Sequence, residues 1–294
     1  MFYRMPEFNY FRPRSLKEAT DLVARLEDFK ILAGGTDLLI DLRIGRYRPK
    51  NVVDISGIKE LSYIVDEGGI IRIGALTKLQ DIVESPVVRG KLLALAEAVE
   101  QMGSWQVRCM GTVGGNLCNA SPAADTAPPL MVYEARVKAL STRGEREIPI
   151  TKFFKGPRET KLMRDEILTE VIIPYIDGAG TATLKLGRRN AFTLSVVAVS
   201  TLVKVSNGRF EDVRIALNAV APRPVRAVRA EEFLRGREVC MEVIDEGSKL
   251  VVKDISPISD VRASAEYRRD MSVVLTRDAL LKSLRRAGLA IGGE

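Results

Sequence analysis

The stretch Gly111-Thr112-Val113-Gly114-Gly115-Asn116-Leu117-Cys118-Asn119-Ala120-Ser121-Pro122-Ala123-Ala124-Asp125 joins a double glycine to hydroxyl and amide side chains and ends on a carboxylate. Glycine lets backbone N–H groups approach an anion with no Cβ in the way, and a helix beginning there adds a favourable dipole. A second segment has the same character. Leu32-Ala33-Gly34-Gly35-Thr36-Asp37 ends a short apolar run, and Thr36-Asp37 offers a cap to a helix through Leu38, Leu39 and Leu42. Taken singly, each glycine pair is equally well a tight turn. Neither loop matches the G-x-G-x-x-G or P-loop pattern, so a Rossmann or Walker reading lacks support. Together they could clamp the two halves of a pyrophosphate, and residue chemistry alone carries the reading no further.

Around these loops the N-terminal part reads as mixed α/β. Ser15 to Glu18 has capping-box spacing, and Leu16, Ala19, Leu22, Val23 and Leu26 predict a helix to about Glu27. Strands are expected over 30–33 and 51–55, and 63–65 with 70–73 flank Asp66-Glu67-Gly68-Gly69 as a hairpin. Thr77 precedes a short helix, Pro86 interrupts, and Leu92, Leu95, Ala96 and Val99 form a further helical stripe. More strands are expected over 136–140, 148–150 and 167–173. Pro174 and Asp177-Gly178-Ala179-Gly180 carry the strongest linker signal and place a domain boundary there. Beyond it, 196–205 and 210–217 are β-rich runs joined across Asn207-Gly208, and helical patterns follow at about 227–235, 241–253, 264–276 and 277–287.

Composition narrows the function. At 294 residues the chain is long enough for two cores. The formal charge of +7 comes from Lys and Arg interleaved with acids, which describes a solvated surface and neither a nucleic-acid nor a membrane patch. No apolar run is long enough to span a bilayer and Met1 to Arg14 lacks a signal-peptide core, so a cytoplasmic protein is expected. There is no histidine, and Cys109, Cys118 and Cys240 form no CxxC pair, which argues against a metal site in this chain and against a histidine-based hydrolase. Cys109 and Cys118 read as small buried apolar residues, and Met102 and Trp105 as core residues that could alternatively pack on a cofactor.

Taken together, these segments resemble the FAD-binding subunits of the molybdenum hydroxylases, a family that includes the medium subunit of carbon monoxide dehydrogenase and the flavin domain of xanthine dehydrogenase. The resemblance continues through Lys185-Leu186-Gly187-Arg188-Arg189 and Ser264-Ala265-Glu266-Tyr267-Arg268-Arg269, and so covers nearly the whole chain. It implies an α+β protein: an FAD-binding domain of the vanillyl-alcohol oxidase type over 1–176, with subdomains at about 1–57 and 58–176, then a C-terminal domain of antiparallel sheet and helices over 177–294. It further implies that Leu32 and Ala33 to Asp37, with Thr112, Gly114, Gly115 and Asn116, hold the pyrophosphate of FAD. Asn119 and Asp125 would lie near its ribityl and pyrophosphate portions, and Ile167 and Leu168 against adenine. Lys185 and Arg188 would approach the flavin from the second domain, where a cation stabilises the anionic reduced ring. Thr193 would lie against that ring, while Phe192 departs from the family pattern, which often has an acid there.

The implied role is electron transfer. Reducing equivalents would leave a molybdopterin centre in a large subunit, cross two-iron two-sulfur clusters in a small one, and reach non-covalent FAD here, in a dimer of heterotrimers. A free-standing FAD oxidase or reductase shares the fold type, but this sequence has no histidine for a base or a covalent flavin link. A module that has lost its flavin fits less well, because both glycine loops are intact.

Overall fold

The computed structural model describes residues 4–289, so Met1 to Tyr3 of the N-terminal stretch and 290–294 of the second unit lie outside the described residues. Three sheets organise it. The first is parallel: β1 (Asn9–Phe11) and β2 (Phe29–Leu32) flank β3 (Asn51–Asp54). Helix α1 (Leu16–Arg25) lays Ala19 and Val23 on this sheet, and α2 (Leu38–Arg43) leaves β2 through the first glycine loop. Ser15 caps α1 by accepting from Glu18 N at 3.2 Å, whereas the Glu18 carboxylate takes the Arg14 N–H, one residue earlier than a capping box would.

The second sheet is antiparallel, in the order β4 (Ile64–Asp66), β5 (Ile70–Gly74), β10 (Ile167–Pro174), β6 (Arg136–Ser141), β7 (Gly144–Pro149). Strand β10 is buried along almost its whole length, as expected of an apolar run at the centre of a sheet. Helices α3 (Leu79–Glu84), α4 (Pro86–Lys91) and α5 (Leu93–Glu100) pack against one another over its apolar face. Pro86 does not break a helix but starts α4 at its first position, where a missing N–H costs nothing, after the Ser85 cap. Then come α6 (Trp105–Met110), α7 (Val113–Asn119) and α8 (Ala127–Val132), with α9 (Ile150–Phe153) and the hairpin β8 (Phe154–Gly156) and β9 (Glu159–Thr160).

The third sheet, β11 (Gly180–Gly187), β12 (Ser195–Ser206), β13 (Arg209–Asn218) and β14 (Val225–Arg226), is antiparallel and carries the second core. Asn207 and Gly208 turn β12 into β13 with φ of 50° and 71°, the left-handed pair an Asn-Gly hairpin turn requires. Helices α10 (Val228–Leu234), α11 (Met241–Leu250) and α12 (Ala265–Arg286) cover it. Here the structure corrects the sequence reading: 264–276 and 277–287 are one continuous 22-residue helix, since no proline or glycine separates them.

A polar seam joins this third sheet to the helices of the second. Glu97 on α5 accepts from Arg286 at 2.6 and 3.0 Å, pairs with Lys282 at 2.8 Å, and accepts the Thr183 N–H at 2.9 Å. Tyr133 and Thr181 share a buried hydroxyl pair at 3.0 Å.

Candidate functional site

Between the parallel sheet and the start of β10 lies a cleft of about 420 Å³, lined by both glycine loops. Ala33, Gly34, Gly35, Thr36 and Asp37 form one wall, and Gly111, Thr112, Gly114, Gly115, Asn116 and Asn119 form the other. Leu76, Leu79, Ile167 and Leu168 add apolar surface. A volume of this size, apolar with a few convergent polar groups, is typical of a small-molecule or cofactor site.

The loops meet backbone to backbone. A Cβ on Gly34 would lie 2.1 Å from the Met110 carbonyl oxygen and 2.9 Å from Gly111 Cα, so only glycine permits the contact. Gly35 has φ of +74°, which turns the chain from β2 towards α2. Among the described residues, no backbone hydrogen bond uses the N–H groups of Gly34, Gly35, Thr36 or Asp37, and they line the cleft. Four consecutive amides without an internal acceptor, beside a helix start, make a ready anion site.

The second loop is built differently, which corrects the expectation that both loops present backbone amides. Thr112 caps α7, its hydroxyl accepting the Gly115 N–H at 3.0 Å. Val113 N–H donates to Thr77 O and Gly114 N–H to Ala75 O, so the first turn of α7 is spent on the segment that follows β5. Gly114 is glycine for packing: a Cβ there would come within 2.7 Å of the Ala75 oxygen. What this wall offers the cleft is the bare Cα face of Gly115 and two amide side chains. Thr126 donates to Asn116 Oδ1 at 2.6 Å, which leaves the Asn116 Nδ2 end to donate elsewhere.

Five expected site residues, Leu32, Asp125, Lys185, Arg188 and Thr193, stand apart from the lining. Leu32 supports the first loop from beneath, its Cδ1 3.2 Å from the position of a Gly35 Cβ. Asp125 and Lys185 are paired with each other at 2.7 Å, with side chains 8% and 4% exposed. Asp125 also accepts from Ser195 at 2.6 Å and Asn218 at 3.1 Å, and Lys185 donates to Gln101 O at 3.0 Å. Through these contacts Lys185 ties the end of the second glycine segment to the third sheet. Arg188 donates to Val261 O, and Thr193 packs on Gly187, its Cγ2 2.2 Å from where a Cβ there would lie. Phe192 has φ of +51° and is exposed, with the Arg189 guanidinium 5.4 Å from its ring centre.

Trp105 is exposed rather than part of the core, whereas Met102 is buried and lines the cleft. Cys118 faces the cleft instead of being buried in the core, and desolvation raises its thiol above the ordinary range.

Several cleft residues carried no motif. Arg158 reaches in from the β8–β9 hairpin and pairs with Asp41 of α2 at 2.5 Å, while Arg46 holds the other Asp41 oxygen. Lys30 lies over the Tyr47 ring at 4.1 Å, and Glu166 takes Arg146 at 2.7 and 2.9 Å. Desolvation first, then the neighbouring Asp41 charge, raises the Asp37 carboxyl above its ordinary range, against the pull of Arg158. Asp41 alone had a sequence signal, an acid among the leucines of α2.

A glycine-walled cleft with an amide-lined anion site, followed by an antiparallel sheet under helices, defines a nucleotide-cofactor protein of two covalently joined units. Residues 6–176 match the family model described as "FAD binding domain in molybdopterin dehydrogenase", and residues 182–283 match "CO dehydrogenase flavoprotein C-terminal domain". The chain is 33% identical over 283 residues to the xanthine dehydrogenase FAD-binding subunit of Escherichia coli O157:H7, covering 95% of this chain and 97% of that one. It is 31% identical to the carbon monoxide dehydrogenase medium chain of Hydrogenophaga pseudoflava, covering 94% and 96%. A solved structure of the carbon monoxide dehydrogenase from that organism superposes with a TM-score of 0.93 at 32% identity, covering 96% of this chain and 99% of that one. Quinoline 2-oxidoreductase from Pseudomonas putida 86 gives 0.92 at 28% identity, covering 97% and 100%. The chain belongs to the family of FAD-binding subunits of the molybdenum hydroxylases.

Proposed function

We propose that this chain binds FAD non-covalently in the cleft and serves as the electron-transfer subunit of a cytoplasmic molybdenum hydroxylase. Its partners are a large molybdopterin subunit and a small subunit with two-iron two-sulfur clusters, in a dimer of heterotrimers. The division of labour follows the chain, with 1–176 holding the cofactor and 177–294 bracing it. When bound, FAD supplies the redox chemistry that links the clusters to an external acceptor.

The observation that carries this reading is the row of N–H groups from Gly34 to Asp37 that, among the described residues, make no backbone hydrogen bond, in a cleft whose other wall includes Gly115. Those amides receive phosphate oxygens, and Gly115 lets the diphosphate approach the opposite wall. Asn116 and Asn119 donate from that wall, while Leu168 and Ile167 give an aromatic base an apolar surface. Burial and the neighbouring Asp41 charge raise the Asp37 carboxyl above its ordinary range, the direction that favours an anion beside it.

The test is stopped-flow bleaching of the flavin with an aldehyde, a purine, carbon monoxide or an aromatic acyl-CoA. It is run on the isolated chain and on the reconstituted complex, after acid precipitation has shown which flavin is released. FAD in the supernatant, with bleaching by one of these substrates only in the complex, is expected. Rapid bleaching of the isolated chain would identify a free-standing oxidase, and FMN in the supernatant would end the dinucleotide reading.

A further inference from the structure

We propose that Arg158 is the cation that meets the diphosphate of the bound dinucleotide, and that it does so by exchanging its present partner, Asp41. The inference rests on the FAD reading above and adds to it a residue that neither glycine loop contains.

Arg158 sits at the turn of the β8–β9 hairpin with φ of +63°, a left-handed conformation uncommon for a residue with a side chain. Its own N–H donates to Ala120 O at 2.9 Å, tying the hairpin to the end of α7. The guanidinium then reaches over the cleft, where Nη1 lies 2.5 Å from Asp41 Oδ2 and 3.4 Å from Asn119 Oδ1. Asp41 belongs to α2, on the far wall, so the ion pair spans the cleft from one wall to the other.

Arg158 is the second guanidinium on one carboxylate, and among the described residues no ion pair joins it to Asp37, the exposed acid of the lining, which feels its charge without pairing with it. The buried Asp41 carboxylate faces two guanidinium groups, and Arg46 on Oδ1 alone balances its charge. Glu166, the other buried acid of the lining, is already matched in bidentate fashion by Arg146 and accepts the Met163 N–H at 2.7 Å. Of the two cations in the lining, Lys30 is stacked on the Tyr47 ring, whereas Arg158, which also meets the Tyr47 hydroxyl, touches Asn119 beside the second glycine loop. The Gly34–Asp37 amides contribute dipoles but no net charge, so a dianionic diphosphate lying between the loops draws on Arg158 for its counter-ion. Asp41 keeps Arg46 when Arg158 swings away, and no buried charge is left alone. A guanidinium suits the exchange because it takes carboxylate and phosphate oxygens in the same forked geometry.

The experiment is fluorescence titration of the deflavinated full-length chain with FAD, ADP and riboflavin at low and high salt, for wild type, Arg158→Met, Arg158→Lys and Asp41→Asn. Arg158→Met is expected to raise the Kd for FAD and ADP at least tenfold, to flatten their salt dependence, and to leave riboflavin, which has no phosphate, unchanged. Arg158→Lys recovers part of the loss. Asp41→Asn, which frees Arg158, binds FAD no more weakly than wild type. A purely structural ion pair predicts the opposite, an equal loss from either partner. The proposal is overturned if Arg158→Met binds FAD within twofold of wild type, if riboflavin binding falls in step, or if Asp41→Asn loses as much as Arg158→Met. Should Arg158→Met not fold, the Asp41→Asn arm still decides. Wild-type protein that fails to bind FAD at all would sink the parent reading instead.

Discussion

Replacing Gly34 by alanine isolates the contact between the two glycine loops. The added Cβ would lie 2.1 Å from the Met110 carbonyl oxygen, where ordinary contact begins at 3.4 Å. The obstacle is backbone, with Met110 C and Gly111 Cα both at 2.9 Å, so no side-chain rotation relieves it and the loops must part by more than an ångström. Overpacking of this kind costs about 1–3 kcal/mol of stability, or a Tm lower by roughly 2–4 °C for each kcal/mol. Ligand binding suffers more. A shift of that size takes amide-to-phosphate hydrogen bonds beyond their working distance, and losing two charge-assisted bonds removes about 3 kcal/mol or more, a factor of at least ~100 in Kd. Gly35→Ala is the comparison: it meets only the ends of the Leu32 and Leu39 side chains, and its strain comes from φ of +74°, about 1–2 kcal/mol. Isothermal titration with FAD, alongside far-UV circular dichroism and thermal melting, separates the two effects. If Gly34→Ala binds FAD within threefold of wild type, the contact between loops does not set the geometry of the anion site.

Two further outcomes follow from the same geometry. Gly115→Val should abolish measurable FAD binding while keeping the far-UV spectrum, because its branched Cβ would crowd Thr112 Oγ1 at 2.9 Å and project towards Ala33; retained affinity in titration would make Gly115 a turn former only. Asp260→Asn should cost about 2 kcal/mol at neutral pH, between an exposed and a buried ion pair, since Asp260 is 21% exposed and holds the buried Arg268 at 2.7 Å. Burial raises the Asp260 carboxyl, but the Arg262 N–H and the Arg262 and Arg268 guanidinium groups outweigh it and hold the pKa well below the ordinary range. A depressed folded-state pKa stabilises above the unfolded value and is lost as pH falls through the folded one. Denaturation at stepped pH should therefore show the full difference at pH 7, shrinking below about pH 4; a difference independent of pH would refute the assignment.

Much of this architecture can be read in the sequence because it is local. Ser15, Ser85 and Thr112 cap the helices that follow them, and Asn207-Gly208 makes the turn its dipeptide demands. Both glycine loops do line one cleft, as a two-loop clamp requires. What was illegible depends on partners distant in the chain. Nothing near Thr112 shows that Ala75 and Thr77 will take the N–H groups of α7, because those carbonyls come from the segment after β5. Lys185 reads as a cation near the cofactor, and only the fold shows that it also pairs with Asp125, sixty residues away in sequence. Arg158 is one arginine among many, and only the hairpin that carries it brings it to Asp41.

The exposed Asp177-Gly178 turn and the Asp125–Lys185 pair have opposite implications for anyone wishing to divide this protein. A solvent-facing turn of small residues is where extra sequence is best tolerated. Severing the chain there is another matter. One fragment would carry the Asp125 carboxylate without Lys185, Ser195 and Asn218, and the other an ammonium cut off from its counter-ion. Each is an uncompensated charge that only the opposite fragment can satisfy. Such halves are suited to complementation, and the yellow colour of recaptured flavin would serve as a direct optical report that two separately expressed pieces had found one another.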